Sequence, residues 1–492
     1  MSVLKPLLLK LFGKRLYALP FVFFSIFFIC AYKYVQKYFT TMSASEFLFF
    51  INTPLEGADK RLIHVFINKC LVNPLIYSIL ICYATEIISL PFNILKKQLN
   101  LPAFLGIVLQ KVKKYETITL LILSILVSIF YLSKFSFLKE LFAMHSAAYD
   151  TFYEQHFVQP APQNIQFPHK KNLIVIVVES LEETFKNKDF FGQSLIPHLE
   201  QLEPEGIKFT NFQNGWSTTY TAASIMALFS GVPTNVIGKY FVNTYGETLS
   251  FLPEYYSLGN ILQSNGYQTY SVQGSDARFS GLGNFLQTHG IEHLIADKEI
   301  KNEYHITKPR DDWGYNDNDV MDVSKKVVQN IDHSKPYFLL IQTLDTHANY
   351  ETHIPNFGKF DNSWYNPIYN TNIQIYEFIK WLKTQPDYEN TVVAIVGDHL
   401  RMGNNFPMPK ERFVYNLFLN APKPKNTVRT FSQIDLFPSI LEAMGAKIKG
   451  HQLGLGISVF SNKKTLLERY PDTLAQKLSK RSKLSEELWK IK

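Results

Sequence analysis

A buried-strand pattern at residues 171–180 ends in two chemically active side chains. The segment reads Lys-Asn-Leu-Ile-Val-Ile-Val-Val-Glu-Ser, with six consecutive apolar residues before Glu179. Such a run is typical of a parallel strand that is buried on both faces. Open α/β sheets bind their ligands at the carboxyl ends of these strands. A second apolar run, 391–397, ends in Asp398 and His399. Two such strands, far apart in the chain, predict one metal site that the fold assembles.

Strand-like runs alternate with helical patterns from residue 169 onward. The predicted strands are 172–179, 268–273, 336–343, 392–397 and 415–419. The predicted helices are 194–204, 221–230, 257–265, 317–331, 370–384 and 432–444. This alternation predicts an α/β domain over residues 169–462, with a mostly parallel, doubly wound sheet.

Three long apolar stretches precede this domain, at residues 16–35, 71–92 and 118–132. Each is close to the length that crosses a bilayer, and buried core helices are the alternative. The first stretch is longer than the apolar core of a signal peptide and lacks a clear small-x-small cleavage site, which favours an uncleaved anchor. Residues 1–135 are therefore predicted to be a transmembrane region with about three spans.

Basic residues set the expected orientation of these spans. The amino-terminal segment carries Lys5, Lys10, Lys14 and Arg15. The loop between the second and third stretches carries Lys96, Lys97, Lys111, Lys113 and Lys114. Because cytoplasmic loops are enriched in such residues, three spans would place the large domain on the outer face of the membrane. The formal net charge of +8 fits this arrangement, and no nucleic-acid-binding motif accompanies it.

Two flanking segments complete the predicted organisation. Residues 136–168 are predicted to be a membrane-proximal connector, with an amphipathic helix over 136–152 and an extended, proline-rich part over 159–168. Residues 463–492 are predicted to be a polar, partly helical and peripheral tail. All cysteines precede residue 135, so the outer domain has no disulfide framework.

A cluster of hydroxyl groups precedes an apolar helix in residues 215–231. A hydroxyl at a helix amino terminus lies in a positive backbone field, which suits a nucleophile that carries a covalent phosphate. Ordinary helix capping is the alternative. The pattern alone leaves Thr218, Thr219 and Thr221 as candidate nucleophiles.

The same segment carries a family resemblance. Thr221-Ala222-Ala223-Ser224, followed by Leu228-Phe229-Ser230-Gly231, resembles the sulfatase signature with Thr in place of the catalytic Cys. That replacement is typical of the membrane-anchored sulfatase-like transferases of the alkaline phosphatase superfamily. The strand that ends in Glu179 and the later Val396-Gly397-Asp398-His399 match their metal-binding motifs in order and spacing.

Finer features resemble the phosphoglycerol transferase I branch most. They are residues 344–347, 285–290, 453–456, and 397–400 with Asn404 and Asn405. The chain differs from the lipid A phosphoethanolamine transferases in lacking their disulfides and in having about three spans rather than five. Some phosphoethanolamine transferases of the lipopolysaccharide core share the cysteine-poor pattern, so the headgroup stays open.

The resemblance implies a metal-dependent phosphotransferase in the bacterial inner membrane, with its catalytic domain on the periplasmic side. The enzyme would move phosphoethanolamine or phosphoglycerol from a phospholipid donor through a phospho-threonine intermediate. The acceptor would be a cell-envelope glycan, either a lipopolysaccharide or lipooligosaccharide core or a periplasmic glucan.

The site residues follow from these motifs. Glu179, Asp398, His399 and Thr221 give a mixed set of nitrogen and oxygen ligands that suits zinc, with manganese as the alternative. Sulfatase-like spacing to Gly231 favours Thr221 as the nucleophile, which metal coordination would activate.

Further polar residues near predicted strand ends or loops are candidates for substrate contact. His347 is expected to stabilise the phosphoryl group or to transfer protons. Asp276, Arg278, Trp313 and Asp345 are candidate contacts of the acceptor or the phosphate.

Two other functions remain as alternatives. One is a sulfatase or phosphodiesterase hydrolase of the same superfamily. Sulfatases require Cys or Ser where Thr221 stands, and Ile225 occupies the position of their arginine, so both positions disfavour this interpretation. The other is a non-catalytic membrane-anchored binding protein, in which the Thr221 hydroxyl would be dispensable.

Overall fold

The structure is a computed structural model in which the chain forms two units. It describes residues 13–39, 43–44, 46, 60–84, 103–136, 138–140, 148–235, 252–253, 255–307, 314–347, 359–402 and 408–489. The first unit comprises Met1–Thr41 and Asp59–Lys139, and the second comprises Met42–Ala58 and Glu140–Lys492. The segment between the first two predicted spans therefore belongs to the second unit, which composition alone did not indicate.

The first unit is helical. Three helices are long and apolar enough to cross a membrane: Arg15–Tyr38, Leu62–Cys82 and Tyr115–Leu132. The second of these begins nine residues before the predicted stretch, and residues 85–92 lie outside the described residues. The helical bounds are Leu19–Tyr38, Lys60–Phe66, Asn73–Cys82 and Ala103–Leu132, with a π-helical turn at Ile67–Val72. His64 and Lys69 interrupt the apolar pattern at the start of the second helix, which hid that start in the sequence.

The second unit is built on strands. The described residues contain β1 (Ile165–Gln166), β2 (Asn172–Val178), β3 (Gly206–Ile207), β4 (Gln268–Gln273), β5 (His293–Ile295), β6 (Tyr337–Gln342), β7 (Thr391–Gly397), β8 (Asn416–Leu419), β9 (Lys447–Ile448), β10 (Gln452–Leu453) and β11 (Gly456–Ile457). The main sheet has the order β3-β8-β7-β2-β6-β4-β5. The pairs β1-β9 and β10-β11 form two small antiparallel sheets.

The main sheet is mostly parallel, which confirms the predicted fold class. Strands β7, β2, β6, β4 and β5 run parallel, whereas β8 is antiparallel to β7 and β3 is antiparallel to β8. No helix is described between β7 and β8, and a parallel return would need such a crossover. The edge strands β3 and β5 were missed because two or three residues are too few to show a period.

Helices cover both faces of the sheet. In β2, Leu173, Val175 and Val177 face a core that includes helix Thr221–Ser230. The alternate residues Ile174, Ile176 and Val178 face a second core, which includes helix Asp317–Asn330. Because successive strand residues point to opposite faces, an unbroken apolar run buries both sides and makes the sheet doubly wound.

The remaining helices largely agree with the sequence patterns. Their bounds in the second unit are Phe152–His156, Lys188–Phe191, Pro197–Leu202, Thr221–Ser230, Leu258–Ser264, Leu282–Thr288, Asp297–Asn302, Asp317–Asn330, Tyr365–Leu382, Gln433–Ala443, Leu466–Arg469, Leu474–Leu478 and Lys483–Leu488. The added helices are short, so their periodicity was weak in the sequence.

The connector and the tail pack together, in contrast to the prediction of a peripheral tail. Residues 148–151 are not helical, so the helix expected over 136–152 does not continue to its end; residues 141–147 lie outside the described part. Leu478 and Trp489 of the tail are buried in the same core as Phe152 and Tyr153 of the connector. The apolar side chains of the short tail helices provide this contact, which the polar composition concealed.

Candidate active site

Two neighbouring strands, β2 and β7, bring residues of the candidate site to the same end of the sheet. Glu179 follows β2, and Asp398 follows β7, with Val178 opposite Gly397 in the register. A Cβ atom on Gly397 would lie 2.1 Å from the Leu181 carbonyl oxygen. Glycine is therefore required here, because the chain that leaves Glu179 crosses directly over the end of β7.

Glu179, Asp398 and His399 form a buried cluster that fits a metal ion. Their candidate ligand atoms all lie within 4.8 Å of one another. His399 Nε2 is 3.3 Å from Asp398 Oδ2 and 3.7 Å from Glu179 Oε1. Asp398 Oδ2 and His399 Nε2 are buried, and neither has a hydrogen-bond partner among the described residues. Since unpaired buried polar atoms are costly, a divalent cation suits this donor set.

The pKa shifts of the three cluster residues are consistent with a divalent cation at this position. Burial and the charge of Glu179 raise the pKa of Asp398 to about 7. Burial opposes ionisation of Glu179, but the imidazoles of His399 and His347 outweigh it and lower the pKa of that carboxyl. Burial likewise opposes the charge on His399, yet the two carboxylates raise its pKa. Two carboxylates packed this closely repel each other unless positive charge lies between them.

A strained turn after β2 fixes the two carboxylates. Ser180 has φ +54°, a left-handed conformation that is unusual for serine. Its N–H donates to Asp398 Oδ1 at 2.7 Å, and its hydroxyl donates to Glu179 Oε1 at 2.5 Å. The His399 N–H also donates to Asp398 Oδ1, at 2.7 Å. The second oxygen of Asp398 is thereby left facing His399.

Thr221 is the candidate nucleophile that contacts this cluster. It is the first residue of helix Thr221–Ser230, and its Oγ1 donates to Glu179 Oε2 at 2.9 Å. The hydroxyls of Thr218 and Thr219 donate instead to side chains outside the cluster. The contacts therefore favour Thr221 among the three hydroxyls that the sequence left open.

Two polar side chains that were not predicted as site residues connect the helix and the loop before it to Asp398. Ser224 Oγ and Gln433 Nε2 both donate to the Asp398 carbonyl oxygen, at 2.7 and 2.8 Å. Gln433 Oε1 also accepts from Thr218 Oγ1 at 2.8 Å and from the Gly215 N–H at 2.9 Å. Gln433 thus links the loop before the nucleophile to the end of β7.

His347 lies in the same cavity as Glu179 and Thr221. It follows β6, in a loop that is fixed to the end of β2. The Glu179 N–H donates to Thr343 Oγ1 at 3.0 Å, and the Thr346 hydroxyl donates to the Glu179 carbonyl oxygen. This placement is suitable for contact with a phosphoryl group on Thr221.

Among the described residues, the other candidate substrate contacts lie outside the lining of this cavity. Asp345 is fully buried, and its Oδ2 accepts from the Asp317 N–H at 3.0 Å, a contact at a helix start. Asp276 is ion-paired with Arg278 at 2.6 Å, and the Arg278 side chain is 57% exposed. Neither residue of this pair lines the cavity around Thr221. Trp313 lies outside the described residues.

A buried arginine, which sequence reasoning missed, contacts the loop that carries His347. Arg401 Nη1 donates to the Thr346 carbonyl oxygen at 2.8 Å. Nearby, Arg412 donates to both carboxylate oxygens of Glu182, at 2.9 and 3.0 Å. Burial nevertheless raises the pKa of Glu182 to about 7. The one sequence signal was the position of Arg401, two residues after a predicted metal ligand.

Glu46, from the segment between the first two spans, also reaches this site. It is 2% exposed, and its Oε1 accepts from the Thr219 N–H at 3.2 Å and from the Thr219 hydroxyl. Its Oε2 accepts from the Ser43 N–H at 2.7 Å. A carboxylate far away in the sequence therefore positions the loop that leads into Thr221.

Several known proteins are similar to this chain. Phosphoglycerol transferase I of Shigella flexneri is 32% identical over 305 residues, which cover 59% of this chain and 39% of that protein. The chain thus spans about two fifths of the length of that curated relative. Among solved structures, a protein in the alkaline phosphatase superfamily from Vibrio parahaemolyticus has a TM-score of 0.48 and 21% identity, covering 58% of this chain and 68% of that one.

The membrane protein lipooligosaccharide phosphoethanolamine transferase A from Neisseria meningitidis has a TM-score of 0.48 and 12% identity, and covers 86% of this chain and 83% of its own. The model of the sulfatase family matches residues 171–446, which is more than half of the sequence. The matched region contains the whole Glu179, Thr221, Asp398 and His399 cluster. The chain belongs to the sulfatase family.

Proposed function

We propose that this chain is a membrane-anchored phosphotransferase that moves a phospho-headgroup from a phospholipid to a hydroxyl of a cell-envelope glycan. The observation that carries the proposal is the 2.9 Å contact of Thr221 Oγ1, at a helix start, with Glu179 of the buried cluster. The apolar helices would hold this site beside its lipid donor. The catalytic unit would lie on the periplasmic side of the bacterial inner membrane, as the basic residues before the first span suggest.

The headgroup is phosphoglycerol or phosphoethanolamine, and the name of the curated relative favours phosphoglycerol. The acceptor is a lipopolysaccharide or lipooligosaccharide core or a periplasmic glucan. Glu179, Asp398, His399 and Thr221 would hold a divalent ion, with zinc first and manganese as the alternative. When bound, the ion would stabilise negative charge on the Thr221 oxygen and on the phosphoryl oxygens.

In the first step Thr221 Oγ1 attacks the phosphorus of the lipid. Its hydroxyl proton leaves toward Glu179 Oε2, to which it already donates. The bond from phosphorus to the diacylglycerol oxygen breaks, and that oxygen takes a proton from His347. The headgroup phosphate is then esterified to Thr221, at the positive end of its helix.

In the second step an acceptor hydroxyl attacks the same phosphorus and gives its proton to His347. The bond from Thr221 Oγ1 to phosphorus breaks, and Glu179 returns its proton to Thr221 Oγ1, which restores the threonine hydroxyl. Because diacylglycerol leaves before the acceptor reacts, we expect ping-pong kinetics.

A reconstitution experiment tests this function. Full-length protein in vesicles that contain labelled phosphatidylglycerol and phosphatidylethanolamine is expected to release diacylglycerol and to place an equal amount of headgroup on an added envelope glycan. Mass spectrometry of the glycan identifies the headgroup. Equal diacylglycerol release with and without glycan, and no glycan product, would instead identify a hydrolase.

Glu46 is expected to support the same reaction. We predict that Glu46→Ala lowers the rate of diacylglycerol release about tenfold, because the loop before Thr221 loses hydrogen bonds to a charged acceptor, each of which contributes about 1.5–3 kcal/mol. Glu292→Ala, which removes a surface contact to Gln263, serves as the matched control. An unchanged rate in Glu46→Ala would show that the loop holds its position without this carboxylate.

A further inference from the structure

Neutral amide and hydroxyl groups form part of the lining of the cavity beside Thr221. Gln273, at the end of β4, and Gln342, at the end of β6, line it together with Ser275 and Thr343. The sheet register places Gln273 directly opposite Gln342. Side chains alternate along a strand, so Gln342 lies on the same face as Leu340, whose core includes the helix of the nucleophile.

The two glutamines form a fixed, buried pair. Gln273 is 2% exposed and Gln342 is 5% exposed. Gln342 Nε2 donates to Gln273 Oε1 at 3.1 Å and to Ser271 Oγ at 3.3 Å, and Gln273 Nε2 donates to Ser275 Oγ at 3.4 Å. Gln342 Oε1 accepts no hydrogen bond from any residue in the described part of the chain. Since Gln342 lines the cavity, this amide oxygen can accept a hydrogen bond from a hydroxyl group of a bound ligand.

The charge of the cavity favours the same kind of ligand. Among its described lining residues, Glu179 alone has a carboxylate, and that carboxylate belongs to the metal cluster. Asp276, in the loop after Gln273, is neutralised by Arg278. A buried ammonium group needs an anionic partner, whereas a glycerol hydroxyl needs paired donors and acceptors such as an amide provides.

We propose that Gln273 and Gln342 determine headgroup specificity by binding the hydroxyls of an uncharged, glycerol-like headgroup esterified to Thr221, and that they disfavour an ammonium headgroup. This inference rests on the proposed function. The headgroup hydroxyls donate to Gln342 Oε1 and accept from the remaining N–H of Gln273. A site built to hydrogen-bond a hydroxyl discriminates strongly against an analogue that lacks it, because its own polar groups are then left unpaired.

Competition between two donors tests the proposal. Full-length protein is given vesicles with equal amounts of phosphatidylglycerol and phosphatidylethanolamine, and the mass of the adduct on the Thr221 peptide is measured. The wild-type protein is expected to carry phosphoglycerol in at least about tenfold excess. Gln342→Glu supplies an anionic partner and is expected to shift this ratio at least about tenfold toward phosphoethanolamine. Gln476→Glu, the same change on an exposed helix, should leave the ratio unaltered.

The outcomes distinguish a failure of the transferase function from a failure of the specificity role of Gln273 and Gln342. If the wild-type protein carries neither headgroup, the proposed function fails. If it carries both equally, or if Gln342→Glu keeps the wild-type ratio, the specificity role is wrong while the transferase function stands. If Gln342→Glu does not fold, as judged by the loss of its thermal transition, Gln273→Glu is measured under the same conditions and decides the question.

Discussion

Replacing Thr221 with alanine is expected to lower headgroup transfer by about three orders of magnitude or more, because the variant lacks the atom that forms the bond to phosphorus. The fold should survive, since the hydroxyl makes one hydrogen bond among the described residues, to the Glu179 carboxylate, worth about 1.5–3 kcal/mol. The measurements are diacylglycerol release in vesicles and thermal unfolding of the full-length protein. Thr288→Ala, on an exposed helix end, is the matched control and should retain full activity.

The covalent intermediate provides a second readout of the same prediction. Wild-type protein with phospholipid and no acceptor should accumulate the headgroup on the peptide that contains Thr221, and Thr221→Ala should accumulate none. An adduct on Thr218 or Thr219 would overturn the assignment of the nucleophile. Headgroup transfer without any adduct would contradict the ping-pong mechanism and would indicate that the acceptor attacks the phospholipid directly.

The closeness of Glu179, Asp398 and His399 could be predicted because these residues follow buried strands directly. The apolar runs before Glu179 and Asp398 are unbroken, which indicates buried parallel strands. Because such strands end at a common edge of the sheet, the pattern predicts that these residues lie close together. The hydroxyl of Thr221 needed the family resemblance, because three threonines precede the helix and the pattern cannot separate them. Their different hydrogen-bond partners separate them in the folded chain.

The supporting residues could not be predicted, because tertiary contacts alone give them their roles. Gln433 lies inside a helix pattern and reaches Asp398 only through the packing of two helices. Gln273 and Gln342 each stand at the end of a strand, and the sequence does not show that the sheet register places them opposite each other. Glu46 lies in a short segment between apolar stretches, and its composition does not indicate the contact with Thr219. Sequence periods reveal which residues are buried, but they do not show which polar groups meet.

Neutralising either Glu179 or Asp398 is expected to have the second large effect on headgroup transfer. In Glu179→Gln or Asp398→Asn, one anionic ligand of the buried cluster becomes neutral, so the remaining ligands should no longer hold a divalent ion at micromolar concentration. We expect transfer to fall by about three orders of magnitude or more, as in Thr221→Ala, because negative charge on the phosphoryl oxygens would lose its stabilisation.

Metal content and thermal stability separate a loss of ligands from a loss of folding. Wild-type protein should bind zinc, and saturating zinc should raise its melting temperature, since an ion at about a thousandfold its Kd stabilises the fold by about 4 kcal/mol. Asp398→Asn should bind little zinc and show little of this shift. Without metal it should melt no lower than the metal-free wild type, because neutralising one of two adjacent buried carboxylates relieves their repulsion. Asp276→Asn, in an ion pair outside the cavity, should keep both the zinc and the shift. Full transfer by chelator-treated wild-type protein with no bound transition metal would contradict the assignment of a metal to this cluster.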